Sequence, residues 1–245
     1  MENLLTSSHP VSLSTVGPNA EIRLSALICL MQDIASNHAS ILGVGYEDLL
    51  RINRAFILSR LQIRMDYPLP ILESSLEIDT WPRLLDRLFA YRDFEIRNND
   101  GRSFLKGTTA WLLIDTEKRR PARAHAELLS LTPRKVCVLD QDGPQKLTWE
   151  NNTETLDTRQ ARASDLDPNS HVNNTRYIDW ITDAIAQKYG SSAQITELCV
   201  NFLSEIKLGQ QVDIGIKELE DGNVVVQGEA DRRNFCARVR LRSPR

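Results

Sequence analysis

Three side chains that can move a proton or hold a water lie within one short stretch: the carboxylate of Asp167, the carboxamide of Asn169 and the imidazole of His171. They belong to the run Asp165-Leu166-Asp167-Pro168-Asn169-Ser170-His171-Val172-Asn173-Asn174-Thr175-Arg176-Tyr177, and nowhere else in the chain are such groups so concentrated. A carboxylate beside an imidazole suits general acid–base chemistry, and a carboxamide suits the orientation of a water or a carbonyl. Pro168 favours an extended Asp167, so residues 167, 169 and 171 are expected to alternate along an extended segment and face one side. A plainer reading stands beside this one, because Asp and Asn just before a helix commonly cap it. For Asn173 and Asn174 the capping role is the preferred reading.

The elements that would position these groups can be read from periodicity. Leu24, Leu27, Ile28, Met31, Ile34, Ala35 and His38 recur at helical spacing and predict an amphipathic helix ending near Gly43. A first strand is expected at Val11–Val16, followed by strands at Arg54–Met65, Leu72–Pro82, Leu88–Arg97 and Ser103–Ile114. Asn98-Asn99-Asp100-Gly101 carries a hairpin signal.

The order then repeats. A strand at Thr155–Ala163 precedes the polar run, and a helix follows with Tyr177, Ile178, Ile181, Ala184, Ile185 and Tyr189 on one stripe. Strands are expected after it at Ile195–Ile206, Gln211–Leu219, Val224–Asp231 and Phe235–Leu241. The resulting fold class is α+β: a double, or tandem, hot-dog, each half an antiparallel sheet wrapped around a long central helix. The N-terminal half is expected over 1–116, a linker with a short helical stretch to Leu131 over 117–153, and the C-terminal half over 154–245. Local identity between the halves is slight. Ile57–Ile63 and Phe202–Lys207 share a pattern only, so the order of elements is the better evidence for a repeat.

Composition narrows the remaining classes. A formal net charge of -3 with 26% charged residues gives no global attraction to nucleic acid or to an anionic membrane. No apolar run is long enough to span a bilayer, and the N-terminus lacks a signal-peptide pattern, so a cytoplasmic protein without stable membrane insertion is expected. Cys29, Cys137, Cys199 and Cys236 lack zinc-site spacing and are expected to be reduced thiols, with Cys29 and Cys199 as small buried hydrophobes. His9 and His125 lie in polar surroundings and carry no signal.

The run from Asp165 to Tyr177, with the helix after it, resembles the signature of the acyl-acyl carrier protein thioesterases, the plant FatA and FatB type and their bacterial relatives. Further motifs follow in the family's order: Met31-Gln32-Asp33, Leu42-Gly43-Val44-Gly45, Phe56-Ile57-Leu58-Ser59-Arg60, Asp79-Thr80-Trp81-Pro82, Arg92-Asp93-Phe94-Glu95-Ile96, Trp111 and Arg119-Arg120-Pro121. The resemblance covers roughly residues 10–242. The plant transit extension is missing here, which points to a bacterial-type member.

The resemblance implies that the second hot-dog supplies the catalytic groups and the first most of the acyl pocket. It carries the catalytic assignment to Asp167, Asn169 and His171, and to Glu205 at the end of a strand that in the family reads Arg-Glu-Cys. The cysteine of that triplet is Ile206 here, so a papain-like scheme with a thiol nucleophile cannot operate, and water is the favoured nucleophile. Strand parity places Glu205 and Ile206 on opposite faces. Which of Glu205, Asp167 or His171 accepts the proton is left open, with backbone N–H groups at the start of the 174–189 helix as candidate oxyanion donors.

Met31, Ile34, Phe56 and Leu58 would shape the acyl pocket. His38, on the same helical stripe, is read as a pocket or core residue rather than a catalyst. The implied partner is acyl carrier protein, with Lys118, Arg119, Arg120 and Arg123 as one candidate docking cluster and Arg232 and Arg233 as another. Neither metal nor redox cofactor is expected. Monomer and homodimer both stay open, as do two other functions: a hot-dog acyl-CoA thioesterase, and a non-catalytic acyl-binding module.

Overall fold

The structure, a computed structural model, describes residues 3–86, 88–123, 134–139 and 141–242. It divides into two compact units, Met1–Pro144 and Gln145–Arg245.

In the first unit, strand β1 (Leu5–Pro10) precedes helix α1 (Leu24–Ile41) and the short α2 (Tyr46–Leu50). Strands β2 (Arg54–Met65), β3 (Ser75–Leu85), β4 (Phe89–Arg97) and β5 (Ser103–Asp115) follow, with β6 (Arg120–Pro121) folded back on β5. The antiparallel sheet runs β1-β3-β4-β5-β2. In the second unit, β7 (Glu154–Gln160) precedes α3 (Asn174–Tyr189), then β8 (Ile195–Phe202), β9 (Gln211–Glu218), β10 (Val224–Glu229) and β11 (Arg233–Leu241). Its sheet runs β7-β9-β10-β11-β8. Strand for strand the two orders are the same, so the fold is the tandem hot-dog.

Helix α1 buries the stripe that its sequence prescribes, and α3 buries all of its stripe but Tyr189. On α1 the buried residues are Leu24, Leu27, Ile28, Met31, Ile34, Ala35 and His38, and on α3 they are Tyr177, Ile178, Trp180, Ile181, Ala184 and Ile185. Tyr189 is only half-buried, and its hydroxyl donates to Glu218 at 3.4 Å, while Trp180 takes a place on the stripe. Cys29 lies off the α1 stripe and is exposed, contrary to expectation, whereas Cys199 is buried; none of the four cysteines forms a disulfide.

The expected strand at Val11–Val16 is a turn, and the strand lies earlier, at Leu5–Pro10. This short edge strand is polar on one face, and Pro10, which has no N–H to give, closes it. The short helical stretch expected up to Leu131 lies outside the described residues.

The segment expected to be a linker is partly fastened to the sheets. Arg134 N donates to Pro82 O at 2.9 Å and Trp81 Nε1 to Val136 O at 3.0 Å in the first unit. In the second, Leu147 N donates to Asn201 Oδ1 at 2.8 Å and Gln227 Nε2 to Glu150 O at 2.8 Å. Among the described residues no helix is long and apolar enough to cross a membrane.

Candidate active site

The polar run forms a tight turn rather than an extended segment. A one-turn 3₁₀ helix (Ala163–Asp165) leads into it, and Leu166 and Val172 pair across its base. Inside, Asp167 N donates to His171 O at 2.8 Å and Ser170 N to Asp167 O at 3.0 Å. Ser170 takes the left-handed conformation at φ 63°, an unfavourable choice for a residue with a Cβ.

The Asp167 carboxylate fixes the turn from within. Its Oδ1 accepts the backbone N–H groups of Asn169 (2.8 Å) and His171 (3.2 Å), and its Oδ2 lies 3.4 Å from Asn169 Nδ2. The three groups gather because one carboxylate collects the donors of the turn, and not through strand alternation.

Helix α3 starts immediately afterwards. Asn173 caps it, its side-chain oxygen accepting Thr175 N at 2.9 Å, and Asn174 is the first helical residue. Arg176 N donates to Asn173 O at 2.9 Å. These two N–H groups of the first turn, raised as oxyanion donors, already have partners within the cap.

The fourth residue arrives from beyond β8. The strand ends at Phe202, and Glu205 stands in the connection to β9. Val172 N donates to Ile206 O at 2.9 Å, and His171 pairs with Lys207, which holds this connection alongside the turn. There His171 Nε2 lies 3.0 Å from Glu205 Oε2, with the two side chains 22% and 44% exposed, so the pair faces solvent while staying in register. Ile206 points the other way and is fully buried. No thiol occupies the position next to Glu205.

Two buried groups border this arrangement. Tyr177, the last residue of the polar run, stacks on Phe235 with ring centroids 5.2 Å apart and meets Trp180 edge-on at 5.4 Å. Gly228 leaves room for the Phe235 ring, because a Cβ there would come within 2.1 Å of Phe235 Cε1. The Tyr177 phenol faces the Ile206 backbone, and burial pushes its pKa up, as do the nearby charges of Glu205 and Asp167. The second group is Asn234, which touches the Glu205 connection. Nothing in the sequence separates Asn234 from an ordinary strand-end asparagine.

The same turn occurs in the first unit with other side chains on it. Gly17 N donates to Glu21 O at 2.9 Å, Ala20 N to Gly17 O at 3.0 Å and Ile22 N to Pro70 O at 2.9 Å; Ala20 has φ 56° and Glu21 pairs with Ile71. These contacts match those at 167–172 one for one. They place Gly17 at the position of Asp167, Asn19 at that of Asn169, Glu21 at that of His171 and Leu69 at that of Glu205. The first unit has the same backbone and one carboxamide, with glycine and leucine in place of the two carboxylates and glutamate in place of the imidazole. The match also corrects the expected repeat register: residues 66–71, not 57–63, correspond to 202–207.

The other residues singled out in the sequence are dispersed. Met31, Ile34, His38 and Leu58 are buried in the first unit, and Phe56 packs partly buried against Val44, Leu49 and Leu113. Arg92 Nη1 lies 3.0 Å from His38 Nδ1 and donates to Thr80 Oγ1 at 3.2 Å. Burial, and next the Arg92 charge, push the His38 imidazole down to about 4; it is therefore neutral and accepts from Arg92. Lys118, Arg119, Arg120 and Arg123 are exposed on and after the β5–β6 turn. Arg232 and Arg233 are exposed at the β10–β11 turn, where the Arg233 guanidinium lies 5.0 Å from the centre of the Trp149 ring. Among the described residues no cluster of His, Cys, Asp or Glu is arranged to hold a metal ion.

Comparison with known proteins gives matches in both units. Residues 2–132 match the acyl-ACP thioesterase N-terminal domain and residues 149–237 the acyl-ACP thioesterase C-terminal domain. The chain is 24% identical over 203 residues to a chloroplastic palmitoyl-acyl carrier protein thioesterase of Gossypium hirsutum, covering 78% of this chain and 49% of that protein. It is 27% identical over 207 residues to a chloroplastic dodecanoyl-[acyl-carrier-protein] hydrolase of Cinnamomum camphora, covering 78% of this chain and 53% of that one. The chain thus spans about half the length of these curated relatives. An acyl-ACP thioesterase structure from Bacteroides thetaiotaomicron superposes with a TM-score of 0.90 at 23% identity, covering 98% of each chain, a likeness of fold.

Proposed function

Because this chain belongs to the acyl-ACP thioesterase family, we propose that it hydrolyses the thioester of fatty acyl-acyl carrier protein, releasing free fatty acid and ending fatty acid synthesis in the cytoplasm. The observation that carries this reading is the 3.0 Å contact between His171 Nε2 and Glu205 Oε2, beside a carboxylate already engaged in shaping the turn.

In the proposed reaction the nucleophile is water. Its oxygen bonds to the carbonyl carbon as Glu205, held by His171, takes a proton. The C–S bond then breaks, and the departing sulfur leaves as a thiol with a proton returned from the same pair. A base within hydrogen-bond reach of that water is worth roughly 10²- to 10⁴-fold in rate. Asp167 acts through the turn, because the N–H groups of Asn169 and His171 occupy Oδ1. Asn169 is exposed, and its carboxamide is assigned the role of orienting the carbonyl or the water.

Acyl binding is assigned to Met31, Ile34, His38, Phe56 and Leu58. Apolar side chains on and around α1 can take up an alkyl chain once they part, and unbranched Met31 adapts most readily. Docking of the acidic carrier is assigned to Lys118, Arg119, Arg120 and Arg123 and to Arg232 and Arg233, where exposed positive charge would steer the encounter. Monomer and homodimer are equally compatible with this reading. The experiment that tests it is steady-state hydrolysis of matched acyl-carrier and acyl-CoA thioesters.

A further inference from the structure

We infer that Asn234 is a positioning residue for this reaction, holding Glu205 against His171 by clamping the backbone on which Glu205 stands; the inference rests on the role proposed for Glu205. Asn234 is 2% exposed and lies at the beginning of β11, and every polar atom of its side chain is engaged. Nδ2 donates to Ser204 Oγ at 3.0 Å, to Glu205 O at 3.3 Å and to Ser204 O at 3.4 Å, and Oδ1 accepts Ala230 N at 2.8 Å. The Asn234 carbonyl also accepts Leu203 N at 2.7 Å and Ser204 N at 3.2 Å.

One residue thus ties the 203–205 connection to the β10–β11 turn through both its side chain and its backbone. Ser204 Oγ adds a donor bond to Arg233 O at 2.8 Å. On the far side of Glu205 a second carboxamide does similar work: Gln210 Oε1 accepts Lys207 N at 2.7 Å, and its Nε2 donates to Asp231 Oδ2 at 2.8 Å.

The need for a clamp follows from where Glu205 stands. It lies past the end of β8, outside the ladder, and its own side chain is 44% exposed. Glu205 itself is exposed and outside the strand ladder, and the Val172–Ile206 bond and the His171–Lys207 pairing hold its connection from one side only. A carboxylate that must keep a 3.0 Å contact with His171 therefore depends on what holds its backbone. Asn234 does so from the buried side, without touching the reacting atoms.

The test is Asn234→Asp, which keeps the shape and the Ala230 acceptor but replaces the donor facing the Ser204 and Glu205 carbonyls with an oxygen. It is measured alone and combined with Glu205→Ala. Displacing a catalytic group by about an ångström costs up to roughly 100-fold, so kcat is expected to fall about 10- to 100-fold with KM nearly unchanged and the pH profile of kcat shifted. In the Glu205→Ala background the same substitution should change kcat by less than about twofold, because no placed carboxylate remains to be lost.

An undiminished kcat in Asn234→Asp, or an equal loss in both backgrounds, would overturn the positioning role. A Glu205→Ala variant with normal turnover would instead overturn the reading of Glu205 on which it rests. Ser204→Ala, which removes the hydroxyl contacts to Asn234 Nδ2 and Arg233 O at a half-buried site, is the second variant should Asn234→Asp not fold. A kcat lowered several-fold at unchanged melting temperature supports the clamp, and an unchanged kcat contradicts it.

Discussion

His171 Nε2 lies 3.0 Å from Glu205 Oε2, although 34 positions separate them and neither residue lies within a regular strand. The contact forms because Val172 N bonds Ile206 O and His171 pairs with Lys207, laying the turn before α3 alongside the connection after β8. Glu205→Ala and His171→Ala are each expected to lower kcat by roughly 100-fold or more with little effect on KM. The double variant should be scarcely worse than either single one, since groups that act as a unit are not additive. Additive losses in steady-state kinetics would mean that the two residues act separately.

Asp167 offers a different contrast. Asp167→Asn keeps an oxygen to accept the N–H groups of Asn169 and His171, while Asp167→Ala removes the acceptor on which the turn is built. The Asn variant should therefore retain clearly more activity, and a melting temperature closer to the parent, than the Ala variant. Equal loss of kcat at equal stability would place the charge of Asp167 in the chemistry.

How much of this was legible in the sequence depended on the kind of interaction. Both helices announced themselves, because a helix covered by a sheet must keep an apolar stripe: positions 24, 27, 28, 31, 34, 35 and 38 are the ones buried on α1. The meeting of Glu205 with His171 was reachable only through family resemblance, since their contact rests on backbone bonds, which any residue type can make. For the same reason the first-unit copy of the turn was hidden: only Pro18 and Asn19 survive from Asp167–His171, although the hydrogen bonds are the same. The expected strand at Val11–Val16 followed hydrophobicity, whereas the actual edge strand Leu5–Pro10 is defined by pairing with β3. Asn234 left no mark at all.

His38 makes stability depend on pH. Its imidazole falls from 6.5 to about 4 in the folded protein, through burial and then the charge of Arg92. Between those values the unfolded chain binds more protons than the folded one. The stability it contributes is therefore complete above pH 6.5 and is lost as pH falls toward 4. Replacing His38 with Gln should flatten the dependence of Tm on pH across that window. An unchanged slope would assign the acid sensitivity to other groups.

The basic residues after β5 give a prediction on substrate form. Changing Lys118, Arg119, Arg120 and Arg123 together to Ala should raise KM about tenfold for acyl-carrier substrates, the equivalent of about 1.4 kcal/mol of lost encounter energy. Short acyl thioesters without a carrier should be hydrolysed as before, and the carrier effect should fade as salt is raised. An equal effect on both kinds of substrate would remove this cluster from docking; the same comparison applies to Arg232 and Arg233.

The most direct measurement is the release of free fatty acid from a matched set of acyl-carrier and acyl-CoA thioesters from C8 to C18, with the parent protein and Glu205→Ala side by side. The predicted result is hydrolysis with a higher kcat/KM on the carrier-bound member of each pair, and a fall of roughly 100-fold or more in the variant. Higher kcat/KM on the CoA thioesters, no turnover of either set, or an unimpaired Glu205→Ala protein would contradict it.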